Sequence, residues 1–128
     1  MKKYLTFLLS IALLTGCAAP TASQNSYQQV SMDEAITLME TESNYIILDV
    51  RTPEEYKEGH IPGAINIPNE TISIDEIPQL PDKEQLILVY CRSGNRSKQA
   101  SEKLSALGYL NIVEFGGINS WPGETVSE

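Results

Sequence analysis

The sequence has 128 residues, a formal net charge of −8 at pH 7, two cysteines and one histidine. A chain of this length can form one compact domain. Its acidic balance argues against a nucleic-acid partner and against electrostatic adhesion to an anionic membrane. Two cysteines and one histidine are also too few ligands for a cysteine-based zinc cluster, so no metal or other cofactor is expected.

The first sixteen residues have the composition of a secretory signal peptide. Lys2 and Lys3 are followed by an apolar segment over residues 5–14, which is too short to span a bilayer comfortably. The segment ends in Leu-Thr-Gly-Cys, which resembles the lipid-attachment box of bacterial lipoproteins. That resemblance implies cleavage before Cys17 and lipid on its sulfur, which would anchor the protein to a bacterial membrane on the extracytoplasmic side. The alternative is an ordinary secretory signal that is cut nearby, with Cys17 incidental.

Removal of this segment would leave about 112 residues, which suits one domain and not two. Residues 17–26 are mostly small and polar, which is typical of a flexible tether. We therefore expect a lipid-bearing tether over residues 17–26 and a single domain, present as a monomer, over residues 27–128.

Helix signals alternate with strand-like segments along this domain. Ser31 begins a capping box and a helix that ends near residue 41, and Thr52 caps a second helix with proline at its first position. A third helix is predicted over residues 95–107, stopped by Gly108, and a helical turn within residues 73–80. Short apolar segments predict strands over residues 28–30, 46–50, 64–67, 86–90 and 111–115. This alternation predicts an α/β domain with a mostly parallel sheet covered on both faces.

The fourth predicted strand is the most informative segment, because Cys91 directly follows it and begins a short loop containing Arg92 and Arg96. A thiol at the carboxyl end of a buried strand would face the N-terminus of the next helix. Backbone N–H groups, the helix dipole and two arginines all favour the reactive thiolate and would also hold an anion. A buried structural cysteine is the alternative, but two arginines and a glycine in the next five positions do not suit it.

The length of the loop indicates which anion it fits. Arg96 completes a Cys-x4-Arg sequence, whereas a tyrosine-phosphatase loop has five intervening residues and would need its arginine at Ser97. The shorter loop makes a tighter cradle. It suits one extra sulfur atom on the cysteine better than a tetrahedral phosphate.

The segment from Cys91 to Ser97 resembles the active loop of the rhodanese (sulfurtransferase) family. Three other segments resemble motifs of that family and follow in its order: Ile47–Arg51 with Asp-Val-Arg, Glu54–Pro68 with Gly-His-Ile-Pro-Gly-Ala, and Gly116–Trp121 with Gly-Gly-x-x-x-Trp. The resemblance extends from about residue 30 to residue 126. It implies a five-stranded α/β domain and transfer of a sulfane sulfur through a persulfide on a cysteine.

On this resemblance, Cys91 is the nucleophile that takes sulfur from thiosulfate or a similar donor and passes it to cyanide, a thiol or a protein acceptor. The persulfide would be bound by backbone N–H groups of the loop residues, which are Arg92, Ser93, Gly94, Asn95 and Arg96. The guanidinium of Arg96, and to a smaller extent that of Arg92, would hold the sulfonate end of the donor.

Charged residues outside the active loop are expected to support it or to face solvent. Asp49 and Arg51 resemble a pair that supports the active loop from below, with direct substrate contact as the alternative. The three glutamates of the second helix are expected to form a solvated face: Glu54, Glu55 and Glu58. His60 is interpreted as a structural residue.

Two other function classes remain open. One is a small cysteine-dependent phosphatase, which the short loop opposes, or an arsenate reductase, which the lack of partner cysteines opposes. Because lipid would consume Cys17, Cys91 would be the only thiol, which excludes a dithiol oxidoreductase. The other class is a membrane-anchored persulfide carrier or binding module that docks a redox or sulfur-trafficking partner with little turnover.

Overall fold

The computed structural model describes residues 26–128, so the predicted signal peptide and nearly all of the predicted tether lie outside the described residues. The strands are β1 (Gln28–Gln29), β2 (Tyr45–Asp49), β3 (Ile65–Asn66), β4 (Leu86–Cys91) and β5 (Asn111–Gly117). They form one parallel sheet in the order β1-β5-β4-β2-β3. The helices are α1 (Met32–Thr41), α2 (Pro53–Glu58) and α3 (Asn95–Ala106), with 3-10 turns at Asn69–Thr71 and Ile118–Ser120. The predicted α/β class and parallel sheet are confirmed.

Local signals explain where the helices begin. The Ser31 hydroxyl accepts from the backbone N–H of Glu34, and the Thr52 hydroxyl accepts from that of Glu55, so both capping boxes are formed. The prediction of a helical turn within residues 73–80 is wrong, because no helix forms there. The segment contains only a non-helical turn, in which the Leu80 N–H donates to the Ile77 carbonyl oxygen. The prolines at positions 78 and 81 lack the N–H that a helix needs.

Strand β4 is buried on both faces, and its side chains divide between two apolar clusters. Ile87, Val89 and Cys91 pack on the face covered by α3, whose Ala100 and Leu104 complete that cluster. The alternate residues of β4 pack on the opposite face, against side chains from α1 and α2. This alternation fixes the direction of the last side chain of β4, so the cysteine points toward α3.

The three helices of the described region are short or polar, and none of them could cross a bilayer.

Candidate active site

Cys91 is the last residue of β4, and its side chain is almost fully buried, with 1% of its surface exposed. The backbone N–H of Gly94 donates to Cys91 Sγ over 3.0 Å. The thiol lies 3.4 Å from the hydroxyl oxygen of Ser97, to which it donates. The thiol is therefore fixed by the loop that follows it and by the first turn of α3, as the sequence predicted.

The chain passes from β4 to α3 through only three residues, and Gly94 makes this turn possible. Its φ angle is +118°, in the left-handed region that favours glycine, and it occupies the N-cap of α3 without a side-chain cap. The first N–H groups of a helix have no intrahelical acceptor, so the uncapped end of α3 presents donors beside the thiol. An anion on the sulfur would meet these donors.

The end of β5 passes directly beneath the loop. A Cβ atom at Gly117 would lie 1.9 Å from the carbonyl oxygen of Arg92, so only glycine fits there. That carbonyl also accepts from the backbone N–H of Asn119 over 3.2 Å. The Gly-Gly motif that the sequence analysis recognised thus allows close contact between β5 and the loop.

Glu55 is not part of a solvated face, which corrects the sequence-based expectation. Its Oε1 accepts from Arg96 Nη1 over 2.7 Å, and its Oε2 accepts from Arg96 Nη2 over 3.0 Å and from Arg92 Nε over 3.2 Å. Glu54 and Glu58, by contrast, are exposed as expected. Because Glu55 also closes the capping box of α2, its carboxylate ties that helix to both arginines of the loop.

This clamp, formed by Glu55, Arg92 and Arg96, sets the charge of the site. The hydrogen bonds from Arg96 hold the pKa of Glu55 far below its usual range, and those bonds raise the pKa of Arg96. Two guanidinium groups against one carboxylate leave a single net positive charge. Arg92 is the more accessible of the two, with 58% of its side chain exposed against 31% for Arg96.

Asp49 and Arg51 form a buried ion pair below α2. Arg51 Nη2 lies 2.7 Å from Asp49 Oδ2 and donates to the carbonyl oxygen of Gly59 at the end of α2, also over 2.7 Å. The hydroxyl of Tyr90 donates to the same Asp49 oxygen, and burial together with this bond raises the pKa of Tyr90 well above its usual range. Asp49 is 0% and Arg51 4% exposed, which favours the supporting role over direct substrate contact.

No sequence pattern singled out Glu114, a buried acid behind the thiol. Its Oε2 accepts from the Ser97 hydroxyl over 2.5 Å and from the Gly116 N–H over 2.9 Å, and only 3% of the residue is exposed. The sequence does contain a signal for it, since Glu114 is the one acidic residue in the apolar segment of residues 112–115. A glutamate is seldom found in a strand buried on both faces unless it has a specific partner.

His60 has a structural environment, as interpreted from the sequence. Its ring stacks on that of Tyr56 with the centroids 3.7 Å apart, and its Nδ1 lies 2.7 Å from the Tyr56 carbonyl oxygen. Its backbone pairs with that of Val126. Within residues 26–128, no cluster of three or more histidine, cysteine or acidic side chains could hold a metal ion.

Comparisons with known proteins agree with this geometry. Residues 31–124 match the family model described as a rhodanese-like domain, and residues 1–18 match the prokaryotic membrane lipoprotein lipid attachment site. Thiosulfate sulfurtransferase PspE of Escherichia coli is 42% identical over 71 residues, which cover 56% of this chain and 68% of that protein. A sulfurtransferase of Allochromatium vinosum is 40% identical over 87 residues, covering 66% of this chain and 77% of that one. The solution structure of a rhodanese-like domain from Anabaena aligns with a TM-score of 0.71 at 29% identity, covering 80% and 81% of the two chains.

The clamp predicts a pH-dependent loss of stability in Glu55→Gln. A carboxyl group whose folded pKa is depressed stabilises the fold fully above its unfolded pKa, near 4.5. This contribution declines as the pH falls from there toward the folded value. Urea unfolding at pH 7 should show a loss of about 1–2 kcal/mol relative to wild type, because charge-assisted hydrogen bonds are removed. The difference should shrink steadily in acid.

Glu54→Gln is the matched control, because it removes an exposed carboxylate from the same helical turn. It should change the free energy of unfolding by less than Glu55→Gln at every pH. Equal effects of the two substitutions would contradict the clamp.

Proposed function

Because the chain belongs to the rhodanese-like family and is similar to two sulfurtransferases, we propose that it moves a sulfane sulfur through a persulfide on Cys91. The donor is thiosulfate or a similar small anion, and the acceptor is a thiol, cyanide or a protein. The observation that carries the proposal is the 3.0 Å contact from the Gly94 N–H to Cys91 Sγ at the uncapped N-terminus of α3.

The reaction consists of two half-reactions on one sulfur atom. The thiolate of Cys91 attacks the outer sulfur of thiosulfate, a sulfur–sulfur bond forms, and the bond to the sulfonate sulfur breaks with its electron pair leaving on sulfite. The outer sulfur then carries a negative charge, which the loop N–H groups bind as an oxyanion hole binds oxygen. A nucleophilic acceptor attacks that sulfur, and the thiolate of Cys91 is regenerated.

The two arginines divide the work of holding the donor. Both terminal nitrogens of Arg96 are engaged by Glu55, whereas Arg92 contacts Glu55 through Nε alone. We therefore revise the order expected from the sequence. Arg92 makes the larger direct contact with the sulfonate, and Arg96 holds the carboxylate of Glu55 away from the incoming anion and keeps the loop in shape.

A lipid on Cys17 would place the enzyme on the extracytoplasmic side of a bacterial membrane. Support comes from the lipid attachment match over residues 1–18. The domain enters β1 just after Ser26, whereas Cys91 ends β4. The amino ends of parallel strands lie on one side of the sheet and their carboxyl ends on the opposite side. The sulfur site would therefore open on the side opposite the tether.

A persulfide carrier with little turnover is the second candidate. It is favoured by the neutralisation of one of the two loop guanidinium charges by Glu55, which weakens the attraction for a small dianion. In this case a protein-borne persulfide would supply the sulfur, and the chemistry at Cys91 would be the same.

Mass spectrometry tests the persulfide directly. After exposure to thiosulfate, the peptide that contains Cys91 should gain the mass of one sulfur atom, and cyanide should remove it. Cys91→Ser should show neither event, while Ser101→Ala, a buried substitution elsewhere on α3, should behave as wild type. Uptake only from a persulfide donor would favour the carrier, and no uptake from any donor would contradict both candidates.

Kinetics with thiosulfate test the division between the arginines. Arg92→Ala should lower kcat/KM by about one to two orders of magnitude, mainly through KM, because a charge-assisted contact is worth roughly 1.5–3 kcal/mol. Arg96→Ala and Arg96→Lys should also lower kcat/KM, and should lower the melting temperature as well. Lys57→Ala removes an exposed cation of α2 and is the control. Wild-type KM in Arg92→Ala would show that Arg92 does not bind the donor.

Metabolic labelling with a fatty acid tests the anchor. The wild-type protein should take up label, sediment with membranes and begin at Cys17, because the lipid is attached to that sulfur. Cys17→Ala should take up none, and Cys91→Ser should be labelled normally. A mature, unlipidated protein with a different first residue would overturn the proposal.

A further inference from the structure

A chain of three side chains leads from the thiol to a buried carboxylate. Cys91 Sγ lies 3.4 Å from Ser97 Oγ, and Ser97 Oγ lies 2.5 Å from Glu114 Oε2. The exposed fractions of these residues are 1%, 0% and 3%. The thiol proton therefore has a short polar route through the interior of the domain.

The hydrogen bonds of Ser97 give this route a direction. A hydroxyl group donates one proton, and three acceptors lie within its reach: the Gly94 carbonyl at 2.9 Å, the Gly116 carbonyl at 3.3 Å and Glu114 Oε2 at 2.5 Å. The carboxylate is the nearest of the three. With its proton on Glu114, Ser97 can accept from the thiol, so every donor along the route points away from the sulfur.

The carboxyl group of Glu114 forms no ion pair with any of residues 26–128. Both of its hydrogen bonds reach Oε2, and among residues 26–128 no cationic side chain lies within 4 Å of its carboxylate. A buried carboxylate without a cationic partner costs free energy that protonation removes. The residue also lines an open cavity of about 310 Å³ together with Gly94 and Lys98, which gives the proton an exit to solvent.

We propose that Glu114 is the proton acceptor that converts Cys91 to its thiolate, acting through Ser97. The S–H bond breaks and its electron pair stays on sulfur, while Ser97 takes that proton and passes its own to Glu114 Oε2. The proton count is unchanged and no further reactant is needed. Glu114 touches neither substrate nor sulfur, so it acts on Cys91 only through Ser97. This inference rests on the proposed function, in which the thiolate of Cys91 attacks the sulfur donor.

The other charged groups near the site come from α2, α3, β2 and the loop. The arginine Arg96, whose charge acts on Cys91, is paired with Glu55, and the hydrogen bonds from Arg96 hold the pKa of Glu55 far below neutrality. Lys98 faces the cavity beside Glu114. Arg92 of the loop is paired with Glu55, and Asp49 of β2 is paired with Arg51. These groups and Lys98 are all present in Glu114→Gln, so a difference between its pH profile and that of the wild type is due to Glu114.

The test is the pH profile of alkylation of Cys91 by iodoacetamide, measured on the full mature chain by the mass of the Cys91 peptide. In Glu114→Gln the amide fills the same space but accepts no proton. Its alkylation at pH 7 should be slower than wild type by about tenfold to a hundredfold, with the midpoint moved to higher pH. If Glu114 were only a nearby negative charge, its removal would favour the thiolate. Equal or faster alkylation in Glu114→Gln therefore overturns the proposal.

Two serines of α3 provide a matched pair of controls that does not depend on the folding of Glu114→Gln. Ser97→Ala should slow alkylation as Glu114→Gln does, and Ser97→Thr, which keeps a hydroxyl, should restore most of the rate. Ser101→Ala removes an equally buried hydroxyl one turn away and should match wild type. Wild-type rates in Ser97→Ala would also contradict the route. Because alkylation needs no sulfur donor, the outcome is independent of whether the protein takes up sulfur from thiosulfate.

Discussion

The chain has only three residues in which to turn from β4 into α3, and the rest of the site depends on this constraint. A turn that short places the N-terminus of the helix beside the side chain that ends the strand. It requires the positive φ of Gly94, and it brings the Arg92 carbonyl so close to β5 that only glycine fits at position 117. Cys91 is therefore buried and also accepts from the Gly94 N–H at the start of α3, a combination that an ordinary core cysteine lacks.

The loop is held from the side by α2, which makes the site a product of distant segments. Asp49 and Arg51 form a buried ion pair below α2, and Arg51 donates to the carbonyl oxygen at the end of that helix. Glu55 on the same helix binds both loop arginines. The same carboxylate caps the helix, so the shape of the loop is coupled to the integrity of α2. The clamp therefore has two effects: it orders the loop, and it reduces the positive charge of the loop. A stronger clamp would make the loop more stable and would weaken its attraction for a small anion.

Periodicity and capping predicted most of the fold, because those signals are local. Each signal lies within a few residues of the helix or strand end that it predicts. Examples are the capping boxes at Ser31 and Thr52, the apolar segment that ends at Cys91 and the glycine after α3. Glu55 could not be assigned in this way, because its arginine partners lie 37 and 41 residues away along the chain. The place of Glu114 in the site could not be predicted for the same reason. Its partner Ser97 lies 17 residues earlier and on another element.

We propose that sulfur leaves the donor before the acceptor arrives and is held on Cys91 by the loop in the meantime. Initial rates measured over a grid of thiosulfate and cyanide concentrations distinguish this order from simultaneous binding. A covalent intermediate formed in a separate half-reaction predicts parallel lines in double-reciprocal plots, because each substrate meets a different form of the enzyme. Lines that intersect to the left of the vertical axis would mean that both substrates bind together before sulfur moves, and would contradict the account.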